Sequence, residues 1–215
     1  MGLKKEGPGS PAYGRLRHPP GDLLIAAPLR LEAWAISAGI HSRAARTRVH
    51  RTGMGPRRAQ AMAPVLLDRP GAALLVMGFG GALDEHSDVG DVVVADAVQG
   101  PDGTGPVACA GAQELAGALE RRGLRVRRGM VASVARLAMG DTRVRLREAG
   151  AIAVDMESAW LAPGAGERPF AVLRVITDTP ARELTNPLLT VAGVARAMAV
   201  LRRAAGALHE WTPEG

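Results

Sequence analysis

The chain has 215 residues, of which 47% are hydrophobic and 22% charged, with a formal net charge of +6 and an isoelectric point near 10.8. That length and balance suit one globular domain with a buried core, and they exclude a disordered or fibrous chain. No apolar run reaches the roughly 18 residues of a membrane span, residues 1–20 lack the apolar core of a signal peptide, and a lone cysteine, Cys109, cannot form an internal disulfide. The expectation is a cytoplasmic protein.

A basic protein invites a nucleic-acid reading, so the position of the charge matters. Lys4, Lys5, Arg15 and Arg17 against Glu6 put half of the excess in the first twenty residues. That segment is rich in Gly and Pro and is expected to be a disordered basic extension, residues 1–20, ahead of a single domain over residues 21–215. A second cluster, Arg121 to Arg128, sits at a helix-to-strand junction. A solvated face is the preferred reading there, and a ligand-binding patch the alternative.

In chain order, Asp22 to Ala27 is a short apolar strand ending at Pro28, and an amphipathic helix follows through Leu31, Trp34, Ala35 and Ala38 to Gly39. Thr47 to Arg51 is a strand closed by Gly53-Met54-Gly55, and Pro56 opens a helix that runs to Leu67. Ala72 to Met77 is a buried strand, followed by a glycine turn, Gly78-Phe79-Gly80-Gly81. Asp91 to Val98 is a strand, Gln113 to Arg122 a helix, Arg125 to Val134 a strand and Thr142 to Glu148 a helix. Ile152 to Val154 is a strand, Met156 to Leu161 begins a helix, Phe170 to Ile176 is the last strand, and Val191 to Leu208 is the closing helix. Strands alternating with helices predict an α/β fold with a mostly parallel sheet covered on both faces.

Four features could carry chemistry. The glycines at 78, 80 and 81 follow a buried strand and could present backbone N–H groups to a phosphate or sugar. A structural tight turn is as good an account. A dinucleotide-binding reading is weak, because Leu83 stands where the fingerprint's third glycine should be. Val154-Asp155-Met156-Glu157-Ser158 puts two acids and a Met at the carboxyl edge of the sheet, where ligands of open α/β sheets bind. The alternative there is an acid that favours a helix N-terminus. Asp178, after Arg174-Val-Ile-Thr177, faces the same edge or starts a turn. Glu32, one turn after the first strand, would by itself be a solvated helical acid.

Taken together, Gly53-Met-Gly55, Gly78-Phe-Gly-Gly81, Val89-Gly-Asp-Val-Val93, Val154-Asp-Met-Glu157 and Arg174-Val-Ile-Thr-Asp178 resemble the purine nucleoside phosphorylase superfamily over residues 22–208. The resemblance runs towards its methylthioadenosine/S-adenosylhomocysteine nucleosidase branch. It implies a three-layer α/β/α sandwich with a mixed, mostly parallel sheet, no cofactor and no metal, a small-molecule nucleoside as ligand, and a homodimer. It also implies roles. Asp178 would protonate or hydrogen-bond purine N7, and Glu32 would position and deprotonate the attacking water. Glu157 would bind the ribose hydroxyls, Met156 would pack on the sugar beside Asp155, and Arg174 would orient the acids. Phe79, with Gly78 and Gly80, would line the binding loop.

Hydrolysis is favoured over phosphorolysis, because Glu32 would repel a phosphate of roughly two negative charges. Arg30, Arg57 and Arg58 are the cations that could instead receive one. Two departures stand out. The superfamily commonly has Ser or Thr where this chain has Gly78. Many nucleosidases also carry a stacking aromatic where this chain reads Ser133-Val-Ala-Arg-Leu137.

With only 3% aromatic residues, the pocket suits a substrate with a bulky apolar 5′ group. Ala27-Pro-Leu-Arg-Leu-Glu32 and residues 173–184 resemble the hopanoid-associated nucleosidases, which implies adenosylhopane as substrate and at most a peripheral membrane contact. Futalosine hydrolase and methylthioadenosine/S-adenosylhomocysteine nucleosidase are alternatives. A non-catalytic protein that binds a nucleoside or nucleic acid is the alternative of another class. The presence of all three acids, Glu32, Glu157 and Asp178, argues against it.

Overall fold

The computed structural model describes residues 23–40, 47–101, 106–181 and 187–211, the side chains of 187–190 excepted. The basic segment over residues 1–20 and the expected domain start at residue 21 lie outside the described residues. Strand β1 (Leu23–Ala27) consists of five buried apolar residues that alternate between two cores. Leu23, Ile25 and Ala27 meet helices α1 (Arg30–Gly39) and α6 (Pro187–Ala207) through Ala35, Ile36, Ala197 and Leu201. Leu24 and Ala26 face the other way, onto α2 (Pro56–Leu67) and the short α5 (Ser158–Leu161) through Ala59, Leu66 and Leu161. A strand buried on both faces needs a helix layer on each, and the three-layer α/β/α arrangement supplies them.

Among the described residues the sheet has eight strands and is mixed. β1 pairs in parallel with β2 (Thr47–Arg51) and with β3 (Ala73–Ala82). β3 pairs in parallel with β8 (Phe170–Asp178), and β8 is antiparallel to β4 (Val92–Gln99). β4 is parallel to β6 (Val126–Ser133), which is parallel to β7 (Ala151–Asp155). β7 returns antiparallel to the end of β3, pairing Val154 with Gly81. Five strands (β3, β7, β6, β4 and β8) therefore close into a ring, and the carboxyl ends of β3, β7 and β8 gather at its seam. Helices α3 (Ala112–Arg121) and α4 (Asp141–Glu148) stand at the expected places. A two-residue strand, β5 (Val107–Ala108), is exposed and too short for a periodic signal.

One expected element differs. Gly78-Phe79-Gly80-Gly81 is not a turn but the continuation of β3, in register with Arg174, Val175, Ile176 and Asp178 of β8 after one register shift. None of its glycines has a positive φ. They are glycines for want of space: a Cβ on Gly80 would lie 3.1 Å from Arg174 Cβ, and one on Gly81 3.0 Å from Arg143 Nη2. No helix among the described residues is long and apolar enough to cross a membrane.

Candidate active site

The site assembles at the ring seam. β1 ends opposite Val76, so on that side of β3 the N–H of Phe79 has no strand partner. Glu32 fills the role: its Oε1 accepts from Phe79 N at 2.7 Å, and its Oε2 accepts from Leu29 N at 2.6 Å, capping the start of α1. Glu32 is only 2% exposed, unlike most helical acids. Burial pushes its pKa up to about 7, even though both hydrogen bonds and Arg174 pull it down.

Arg174 is wholly buried behind the cavity wall, and Asp155 is its main partner. Asp155 Oδ2 accepts from Arg174 Nε at 2.8 Å and Nη2 at 2.6 Å, and from the Ser158 hydroxyl. Its Oδ1 accepts from Ser133 Oγ at 2.5 Å and from the N–H groups of Glu157 and Ser158 at 3.2 Å. Both carboxylate oxygens are thus committed within the protein. Asp155 touches the cavity but acts in this geometry as the hub that fixes the β7 end and Arg174.

Glu157, the next acid, is held differently. Its Oε1 accepts from Gly55 N at 2.8 Å, which ties the loop after β2 to the loop after β7. Its Oε2 lies 3.8 Å from Arg174 Nη2. Burial raises its pKa, and the nearby Arg174 works against that rise.

Asp178 ends β8, is 3% exposed, and forms an ion pair with Arg143 of α4. Thr177 Oγ1 lies 3.0 Å from its Oδ1. Arg143 is itself anchored, with Nε donating to Ala138 O at 2.9 Å and Nη1 to Ala82 O at 2.8 Å.

These groups surround a cavity of about 150 Å³ with a largely apolar lining. Glu32, Glu157, Asp178, Met156, Phe79 and Arg143 all reach it, and Met54 and Leu137, each more than half exposed, mark its open rim. Gly78 and Arg174 stand one layer behind the wall. Arg30, Arg57 and Arg58 do not line it either. Leu137 and Val134 occupy the stretch where an aromatic was missing from the sequence. Among the described residues no three His, Cys, Asp or Glu side chains group as a metal site would require.

The phosphorylase superfamily profile matches residues 40–210. The chain belongs to the phosphorylase superfamily. No curated protein matches it in sequence. Among solved structures it is similar to S-adenosylhomocysteine nucleosidase from Streptococcus pyogenes in complex with 5-methylthiotubericidin, with a TM-score of 0.71 and 19% identity over 87% of this chain and 97% of that one. It is also similar to futalosine hydrolase of Helicobacter pylori, with a TM-score of 0.74 and 17% identity over 87% and 96%. A third is the 5′-methylthioadenosine/S-adenosylhomocysteine nucleosidase of Neisseria meningitidis with methylthio-immucillin-A, at 0.69 and 17% over 86% and 99%. At these identities the likeness is one of fold alone, and membership of the superfamily rests on the profile match over residues 40–210.

Sequence reading missed Arg143 in this superfamily member. Arg143, Arg145 and Arg147 alternate along one short helix, and nothing in that run marks the first as the inward one. For the Arg121–Arg128 cluster the sequence favoured a solvated face over a ligand-binding patch. In the structure Arg121 and Arg122 pair with Glu210, Arg125 with Asp88, Arg127 with Asp84 and Arg128 with Asp96. Apart from the part-buried Arg127–Asp84 pair, such exposed pairs stabilise little, but they quench the patch, as the solvated-face reading expects.

Proposed function

We propose that this phosphorylase-superfamily protein is a purine nucleosidase, which hydrolyses the bond between an adenine-type base and ribose. The observation that carries the proposal is the convergence of three buried acids, Glu32, Glu157 and Asp178, on one mostly apolar cavity. Burying a carboxylate is costly, and three around one cavity are a poor solution for packing alone.

In this reading Glu157 binds the ribose hydroxyls and faces the positive charge that grows on the sugar as C1′–N9 lengthens. Met156 packs on the sugar and Phe79 lines the base. The bonding electrons leave with the purine, whose N7 shares or takes a proton at Asp178. Glu32 takes a proton from the water whose oxygen bonds to C1′. Water rather than phosphate is the nucleophile in this reading, since among the described residues the only basic side chain in the lining, Arg143, is already paired with Asp178. The cavity is smaller than the roughly 300–1,000 Å³ of whole ligand sites, so a long 5′ substituent would leave it over Met54 and Leu137. That favours a bulky apolar 5′ group such as that of adenosylhopane. A cytoplasmic homodimer belongs to the same reading.

The test is adenine release, followed by chromatography, from adenosylhopane, methylthioadenosine and S-adenosylhomocysteine, and hypoxanthine release from futalosine, each with and without phosphate. Phosphate-independent release abolished in Asp178→Asn is expected. Release that requires phosphate would instead make the protein a phosphorylase and remove Glu32 from its assigned role.

A further inference from the structure

Three segments at the carboxyl ends of β1, β2 and β6 frame the cavity mouth: residues 28–34, 53–58 and 134–139. Each sets bulky apolar side chains in solvent: Leu31 and Trp34 in the first, Met54 in the second, Leu137 and Met139 in the third. All five are at least 42% exposed, and Trp34 reaches 65%. Each segment also carries exposed arginine: Arg30, Arg57 with Arg58, and Arg136. Among the described residues these four have no ion pair, whereas Arg121, Arg122, Arg125, Arg127 and Arg128 are all paired with acids. The three segments contain one acid, Glu32, and it is buried. The methylenes of Arg58 lie against Gly53, where a Cβ would come within 2.5 Å of Arg58 Cδ, so this arginine stays beside Met54.

We infer that this rim docks on the surface of an anionic lipid bilayer, with the cavity mouth turned towards the headgroups. Apolar and cationic side chains interleave there, as they do on surfaces that lie at a membrane interface. Trp34 carries an apolar ring with a polar edge, which suits the headgroup level, and the arginines suit lipid phosphates. A second copy of the chain is a poorer occupant. A two-fold contact through this rim sets arginines against arginines, with no exposed acid in these segments to receive them. Docked in this way, the mouth receives an amphiphilic substrate from the bilayer without exposing its apolar tail to water. That last consequence rests on the nucleosidase reading; the docking itself does not.

The test is flotation of the full-length protein with vesicles of phosphatidylcholine alone and of phosphatidylcholine with phosphatidylglycerol, at low and at high salt. Binding to the anionic vesicles that weakens with salt is expected, with a blue shift of tryptophan emission. Arg57→Gln/Arg58→Gln/Arg136→Gln should weaken that binding by about a hundredfold, on the scale of roughly fivefold per arginine at such a surface. Leu31→Ser/Trp34→Ser should weaken it by about tenfold and remove the emission shift. Arg121→Gln/Arg122→Gln/Arg128→Gln, which removes as many charges from the paired cluster, should bind as the wild type does. Thermal unfolding establishes that each variant is folded, and the two rim sets are independent, so one that fails to fold leaves the other to decide. Equal losses from both arginine sets, or undiminished binding by the folded rim variants, would place the binding elsewhere on this basic chain and overturn the proposal. Absence of wild-type binding to anionic vesicles overturns it too, and a dimer that dissociates in Leu31→Ser/Trp34→Ser would then assign the rim to a second copy. Release of adenine from soluble methylthioadenosine is measured without vesicles, so the nucleosidase reading stands or falls separately.

Discussion

Glu32 and Gly78 share one volume. A Cβ on Gly78 would lie 2.7 Å from Glu32 Oε1, 2.9 Å from its Cδ and 3.0 Å from Arg174 Nη1. The side chain missing at position 78, where the resembled family commonly has Ser or Thr, is therefore displaced by the acid of α1 bending back over β3. Glycine at 78 is what allows Glu32 to reach Phe79 N.

Gly78→Ser should accordingly push Glu32 and Arg174 apart. The expected cost is about 1–3 kcal/mol of stability, as for overpacking in a close-packed core, and at least about a tenfold fall in kcat/KM, since displaced catalytic groups cost that much or more. Urea unfolding and steady-state kinetics on the same preparation check both. An active, undiminished variant would show that Glu32 tolerates displacement.

The elevated pKa of Glu32 makes a statement about rate. A group that takes a proton from water must be ionised, so kcat/KM should rise with pH through a limb centred near 7. Glu32→Gln should lower kcat/KM by about 10²–10⁴-fold and abolish that limb. A limb that persists in Glu32→Gln would assign it to another group.

The same shift makes a statement about stability. Glu32 ionises near 4.5 in the unfolded chain and near 7 in the folded one, so between those values the folded state holds the extra proton. Stability from this group is complete below about pH 4.5 and is lost as pH rises through 7, by at most about 3 kcal/mol. Glu32→Gln cannot ionise, so its stability relative to the wild type should improve from pH 5 to about pH 7 and level off above it. Chemical denaturation midpoints across that range test it, and parallel wild-type and variant curves would refute it.

Asp155 separates a ligand-binding acid from a structural one. Asp155→Asn leaves Arg174 buried with its principal countercharge gone and turns an N–H₂ towards donors. A loss of about 3–5 kcal/mol is expected, the scale for breaking a buried ion pair. Thermal unfolding measures it. A variant that unfolds at the wild-type temperature, yet binds nucleoside poorly, would return Asp155 to the ligand.

The order of strands and helices was legible because hydrophobic periodicity is local: Leu23 to Ala27, Ala73 to Met77 and Phe170 to Ile176 each read as buried strands from their own residues. Glu157 and Asp178 were legible as candidates because acids at strand ends are a local signal too. Glu32 was not legible from its own surroundings and entered only through the family resemblance, since its burial depends on partners such as Phe79, 47 positions away. Nor were the closure of five strands into a ring, the continuation of β3 through its glycines, or the inward turn of Arg143. Local sequence determined which segments could be strands and which residues could carry charge to their ends. Tertiary structure decided which charges were buried together, because desolvation and pairing depend on neighbours that the chain brings close only by folding.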